Sequence, residues 1–295
     1  MASSPEVSIS PGEAITTWKN WFSTHWTILK ICLEERLVYR GDFALGTLMR
    51  FLPIVTQIFL WSAVFSTLPS TNQNGEAANI QGYTYHQFVA YYLLTMISRA
   101  FSSMPGLASG IAKDIREGAV NKYLIQPIDM MGFLFLNRVA HKLVYYLMAA
   151  APFALVFFLC RDFFSGWPPT ETLLLFFLSL IFAFLLGFLI EATIGLIGFW
   201  FLEVGSLLFI YMLLNFFFSG HMFPIDMLPG FWRTLVELIP LHYLAYFPAA
   251  VFLGQIEGDA LYRALFIEAC WIIALLFINR IAFYYGVRRY SGYGG

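Results

Sequence analysis

Nineteen residues separate Glu171 from Glu191, and none of them is charged. Coiled as an α-helix, such a run is about 28 Å long, close to the thickness of a bilayer's hydrocarbon core. Comparable runs occupy about 43–65, 84–109, 132–159, 171–193, 204–221 and 261–283, which makes six candidate spans in one chain. Lipid offers no partner to a backbone N–H or C=O, so spans of this composition must satisfy those groups internally, as helices do. The sequence therefore predicts an all-α membrane protein with six transmembrane helices, built as a single membrane domain over 1–295. Composition agrees: 59% of residues are hydrophobic and 12% are charged, where soluble chains carry about 25% charged residues.

The remaining charge excludes several function classes. A net charge of -1 with no basic stripe gives no footprint for nucleic acid. Three cysteines, Cys32, Cys160 and Cys270, lie far apart and mostly within apolar runs, so they are read as packing residues, with neither a disulfide framework nor a metal site. The polar start, Met1 to Ser10, lacks the basic, apolar and small-residue order of a signal peptide. Over 10–40, Ser10-Pro11-Gly12-Glu13 has the spacing of a capping box. Behind it Ile15, Trp18, Phe22, Trp26, Leu29 and Leu33 recur every three or four residues. With Lys19, Lys30, Glu34 and Arg36 at its edges and three tryptophans, this segment reads as an amphipathic helix lying in the membrane interface.

Basic residues set the expected orientation, because they are retained in cytoplasmic segments. With the N-terminus inside, the cytoplasmic flanks hold Lys19, Lys30, Arg36, Arg40, Arg50, Arg99, Lys113, Arg116, Lys122, Arg138, Lys142, Arg280, Arg288 and Arg289. The outside keeps Arg161, Arg233 and Arg263. Fourteen against three places both termini in the cytoplasm of a cell with this chain in its inner membrane. Between spans five and six, 222–258 is too rich in proline and glycine for one clean span and too apolar for a free loop. It reads as external or re-entrant helices, tolerated at depth only where protein or a water cavity covers them.

The most charged and turn-prone interior run, "KDIREGAVNKYLIQPID" at 113–129, falls on the cytoplasmic side between spans two and three. Lys113, Asp114, Arg116 and Glu117 suit a helix, Gly118 can break it, and Pro127 stops a second one near 122–125. From charge alone the run is equally a solvated loop that obeys the orientation rule.

Residue order adds to this. Ile115-Arg116-Glu117-Gly118, followed by Leu124 and Pro127, resembles the cytoplasmic segment after the second span of ABC-2-type export permeases. "FWFLEVGSLL" from Phe199, "FFFSGHMFPIDMLPGFW" from Phe216 and "IPLHYLAYFPAAVFLG" from Ile239 resemble that family's fifth span and short external helices. "EERLVYRGDFALG" from Glu34 resembles its approach to the first span. The resemblance implies a permease subunit that forms the pathway of an ATP-binding-cassette exporter, within the membrane lipid. It implies coupling through 111–130 to a separate ATPase subunit, with Ile115, Arg116, Glu117, Gly118, Asn121, Tyr123, Leu124 and Pro127 as the contact set. It further implies a second permease subunit, identical or a sibling, and ATP with Mg held by the ATPase, this chain carrying no cofactor.

Other candidates rest on the chemistry of single side chains. Glu191 and Glu203 stand near the ends of spans four and five, where an ionisable group is expensive and often functional. They serve structure, coupling or a proton relay, and Glu268 in span six is a similar case. Tyr211, the Phe216-Phe217-Phe218 run, His221 and Pro224 are candidates for the pathway or its gate, although aromatic residues equally suit lipid contact. Among the candidate pathway residues, Phe217 stands for that run. No G-x-x-x-x-G-K-[ST], G-x-S-x-G, CxxC or H-E-x-x-H occurs, so no motif for ATP hydrolysis, acyl transfer or zinc chemistry is present. Two competing readings stay open. A secondary transporter or channel would run ions along the intramembrane carboxylates, and a membrane enzyme would use His221 and His242.

Overall fold

The computed structural model describes residues 23–35, 40–69, 79–126, 128–164, 166–201 and 203–290. It is almost wholly helical, and the chain is an all-α membrane protein. Residues 23–35 form a helix, α1. It is followed by α2 (Arg40–Ser66), the two-residue strands β1 (Asn79–Ile80) and β2 (Tyr83–Thr84), α3 (Tyr85–Ser102), α4 (Leu107–Arg116) and α5 (Asn121–Leu124). Then come α6 (Met130–Leu159), α7 (Thr170–Leu196), α8 (Gly205–Phe218), α9 (Gly230–Leu238), α10 (Tyr246–Phe252) and α11 (Gly258–Arg289). Packing divides the chain into two compact units, 1–47 with 127–150, and 48–126 with 151–295.

Among the described residues three helices are long and apolar enough to cross a membrane, Met130–Leu159, Thr170–Phe199 and Gly258–Arg289. The shorter apolar helices are Leu52–Ser66 and Gly205–Phe218. The expected second span, 84–109, is interrupted: α3 stops at Ser102, and Gly106 adopts a left-handed φ of 73° before α4 begins. The capping box expected at Ser10 to Glu13, Trp18 and Trp21 of the expected interfacial helix, and Pro127 lie outside the described residues.

In the first unit, α1 buries Cys32, whose sulfur accepts a 3.6 Å hydrogen bond from Asn137 Nδ2 of α6. The start of α6 is capped by Asp129, whose Oδ2 accepts from the Gly132 N–H at 2.6 Å. A carboxylate there satisfies a donor that the first helical turn leaves open, and it opposes the helix dipole favourably.

The second unit is organised around α7, which packs against α3, α4, α10 and α11. Its sequence is apolar on every side, as suits a helix that meets protein on one side and lipid on the other. Close approach depends on small residues. A Cβ on Gly187 would fall 2.0 Å from the Ser102 carbonyl oxygen, and one on Gly195 would fall 2.8 Å from that of Ala108. Without a strong hydrophobic drive between helices in lipid, such backbone approach is what holds them together.

These contacts also fix direction. Gly187 meets Ser102, Gly195 meets Ala108 and Gly198 meets Ala112, so α3 and α4 run parallel to α7. Tyr262 of α11 donates to Glu171, Asn279 Nδ2 donates to Thr193 Oγ1 at 3.5 Å, and Gly286 lies against Phe199. Hence α11 is parallel to α7 as well. The C-terminal ends of α4, α7 and α11 share one end of the unit, and the chain between α7 and α11 must cross back once. At 14 residues α8 is about 21 Å long, so residues 219–257 complete the return.

That return segment is built into the core. Leu241 to Val251 are all buried, α10 packs on α3 and α7, and Phe252 meets Phe176 edge-on at 5.2 Å. Three tyrosines tie it down. Tyr91 donates to the Gly220 carbonyl, Tyr92 to that of Met222 at 2.6 Å, and Tyr83 to Asp226 Oδ2 at 2.8 Å. Burial and then the Asp226 carboxylate keep the Tyr83 phenol protonated well above its usual range. Arg233 closes the cluster, reaching Asp226 at 3.2 Å and Glu237 at 2.8 Å.

Candidate functional site

Two features stand out in the second unit, a charged turn and a cavity of mixed polarity. The turn begins with α4, whose residues Leu107, Ala108, Ile111 and Ile115 form one buried stripe at helical spacing. This stripe packs on α7 and on the 3-10 turn Ile197–Phe199. Charged residues occupy the other face. At the end of α4 the Gly118 N–H donates to the Ile115 carbonyl at 3.3 Å, and the Val120 N–H to that of Asp114 at 3.0 Å. Gly118 has a φ of 79°, a left-handed conformation costly for any other residue, so the helix stops where the glycine predicts.

Beyond the glycine, Val120 is fully buried and anchors the turn, and α5 follows with Tyr123 buried. Lys122 Nζ lies 4.8 Å from the Tyr123 ring centre and 3.5 Å from Asp114 Oδ2. Partial burial works against the Lys122 charge, but Tyr123 and Asp114 outweigh it and hold the amine above the usual lysine range. Lys113 faces Glu117 at 4.0 Å. Arg116 reaches out of the turn to Glu203 at 3.9 Å, and Glu203 itself accepts from the Gly205 N–H at 2.8 Å, at the start of α8. At the tip, Leu124 is 42% and Ile125 is 82% exposed.

Among the residues the sequence singles out, Ile115 and Tyr123 form the buried base, while Arg116, Glu117 and Leu124 are presented outward. Asn121 opens α5, its carbonyl accepting from the Ile125 N–H at 3.1 Å.

The cavity has a volume of about 590 Å³ and lies among α2, α3, the 103–109 turn, α7 and α8. Its lining includes the apolar residues Ile54, Met96, Met104, Leu208 and Met212 and the polar residues Gln57, Arg99, Glu191, Asn215 and His221. The Arg99 guanidinium meets His221 Nε2. Arginine has only donors, so that imidazole nitrogen accepts, its proton sits on Nδ1 and the ring is neutral.

Of the sequence-based pathway residues, Glu191, Tyr211 and His221 line the cavity. Glu203, Phe217 and Pro224 do not: Glu203 caps α8, Phe217 is 42% exposed and Pro224 is buried ahead of the turn Ile225–Met227. Glu268 is fully buried in α11, away from the cavity wall, and both its carboxyl oxygens lack a hydrogen-bond partner. Among the described residues no three His, Cys, Asp or Glu side chains gather as a metal site.

Sequence reasoning counted Arg99 only for orientation and passed over Gln57 and Asn215. A signal for Arg99 was present, an arginine inside the apolar run 84–109. Gln57 and Asn215 carry no such mark, because a single uncharged amide does not break an apolar run as a charge does.

Comparison with known proteins places the chain. The family described as ABC-2 family transporter protein matches residues 51–294, most of the chain, and the chain belongs to that family. No curated protein matches it.

Proposed function

We propose that this ABC-2 family transporter chain is the permease subunit of an ATP-binding-cassette exporter, and that the turn over 113–126 is where a separate ATPase subunit docks. The exposed pair Leu124 and Ile125, standing on a buried base of Ile115, Val120 and Tyr123 inside a ring of charges, carries the reading. A large apolar side chain held in solvent by a rigid support is what a partner's pocket can seat, and rim charges orient the approach. The ATPase holds ATP and Mg, and this chain contributes no catalytic group. Two permease subunits, identical or siblings, enclose the pathway.

The sidedness follows from the same residues. Lys113, Arg116, Lys122, Arg280, Arg288 and Arg289 lie toward the end of the second unit where α4, α7 and α11 finish, which the retention of basic residues assigns to the cytoplasm of the inner membrane. Six spans with both termini inside agree with parallel α3, α7 and α11.

Motion has a short route into the pathway. Arg116 holds Glu203, Glu203 caps α8, and α8 contributes Leu208, Tyr211 and Asn215 to the cavity wall. A push on the turn therefore reaches the cavity through one helix. An ion route along carboxylates has less support, since Glu191 alone of the three meets the cavity.

The test is ATP hydrolysis by the chain reconstituted with candidate ATPase subunits from the same cell. Wild type should change the ATPase rate and Glu117→Arg, which sets like charges together beside Lys113, should abolish the change. An ATPase rate indifferent to the permease would reject the reading.

A further inference from the structure

The charges at the end of the second unit where α4, α7 and α11 finish do not cancel. Asp114 holds Lys122, Glu117 holds Lys113 and Glu203 holds Arg116. Arg288 and Arg289, in the last turn of α11, form no ion pair among the described residues. After Glu268 the sequence contains no Asp or Glu, so this half of α11 offers its arginines no acid of its own.

Their depth follows from the helix. Tyr262 meets Glu171 where α11 and α7 begin, and Tyr284 stands 22 positions further along α11. That length of helix rises about 33 Å, against a hydrocarbon core of about 30 Å. Tyr284 and Tyr285 therefore stand at the membrane interface, as tyrosines do, and Arg288 and Arg289 lie one turn beyond it, among the head groups.

One face of α11 runs through this boundary. Phe277, Ile281, Tyr284 and Arg288 follow one another at spacings of four, three and four, which aligns them along the helix, and all four are exposed. The Arg288 guanidinium lies over the Tyr284 ring, 4.0 Å from its centre. Stacking engages the face of a guanidinium and leaves the donors on its edge for a phosphate's oxygens. An occupant must be apolar beside Phe277 and Ile281 and negative beside Arg288, which a free phosphate is not. A zwitterionic phospholipid brings an ammonium with its phosphate, and the two arginines repel it.

We infer that this face of α11 is a binding site for a phospholipid with a net negative head group, its phosphate on Arg288 and an acyl chain along Ile281 and Phe277. Arg289 adds its charge to the attraction. The site does not depend on the permease reading.

The test uses the full chain alone, in micelles of an uncharged sugar detergent, with phosphatidylglycerol and phosphatidylcholine of matched acyl chains as probes. Bound copies are counted by native mass spectrometry. Wild type should prefer the anionic lipid by about fivefold, the worth of one basic residue at a charged membrane surface. Arg288→Gln should remove most of that preference. Tyr284→Leu keeps both charges but takes away the ring that holds the guanidinium, and should give an intermediate ratio. Arg263→Gln, near the other end of the same helix, should leave the ratio as in wild type. All three side chains are exposed, so thermal midpoints should stay close to wild type and the variants remain comparable. Equal binding of the two lipids by wild type would overturn the inference, as would a ratio unmoved in Arg288→Gln or Tyr284→Leu. An equal fall in Arg263→Gln would overturn it as well, since any arginine would then serve. Because no ATPase is present, the outcome is separate from that of the docking test.

Discussion

The turn over 113–126 and the return segment over 219–252 are held in opposite ways. The first relies on a buried base and a rim of ion pairs at 3.5 to 4.0 Å between half-exposed side chains. The second has Tyr91 and Tyr92 hydrogen-bonded into its backbone and a continuous buried run from Leu241 to Val251. Water screens exposed pairs, which contribute at most about 1 kcal/mol each. Buried hydrogen bonds are lost at a cost of about 1–3 kcal/mol when one partner is left behind. One region leaves its polar groups available to a partner, and the other spends them on staying in place.

The contrast is broken most severely at Gly220. Its φ is 80°, and a Cβ there would lie 2.4 Å from Tyr246 Cβ and 2.8 Å from the Tyr91 hydroxyl. Gly220→Val combines a left-handed β-branched residue with overpacking and should cost about 3–5 kcal/mol, seen as a large fall in the thermal midpoint of the purified chain. A midpoint near wild type would mean that the return segment is not fixed as described.

Tyr91→Phe is milder. It strips the Gly220 carbonyl of its donor inside the core and should cost about 1–2 kcal/mol, with the same readout. If the loss is negligible, the tyrosine tethers are dispensable and the comparison weakens.

Much of this difference was legible in the sequence and some was not. Gly118 marked the end of α4, since a glycine closing a charged helical run is a stop signal, and the apolar runs at 132–159, 171–193 and 261–283 marked α6, α7 and α11. The break at Ser103 to Gly106 was signalled by Pro105-Gly106 but masked in the hydropathy reading, which averages a short turn into the apolar run around it. The tyrosine tethers were hidden too, since they join residues about 130 apart in the chain and periodicity reports only local order. Glu191, Tyr211 and His221 were named one by one, but that they share a cavity with Arg99 depends on tertiary packing.

Smaller effects sharpen the other side of the comparison. Arg116→Ala removes an exposed 3.9 Å pair with Glu203 and should change stability by less than about 0.5 kcal/mol. It should nevertheless reduce the permease's effect on ATP turnover, because the route from turn to α8 is cut. A full response in that variant would show that motion passes elsewhere. Smallest of all, raising salt from 0.05 to 0.5 M screens the rim and should leave the thermal midpoint almost unmoved while weakening ATPase association. Equal sensitivity of both would deny the division between a fixed region and a docking region.

The most direct test of the proposed docking surface is Ile125→Asp. This side chain is 82% exposed, so the substitution should leave the thermal midpoint within a degree or so of wild type. Co-elution of the chain with the proposed ATPase subunit should be lost. Undiminished co-elution with an intact fold would contradict the account.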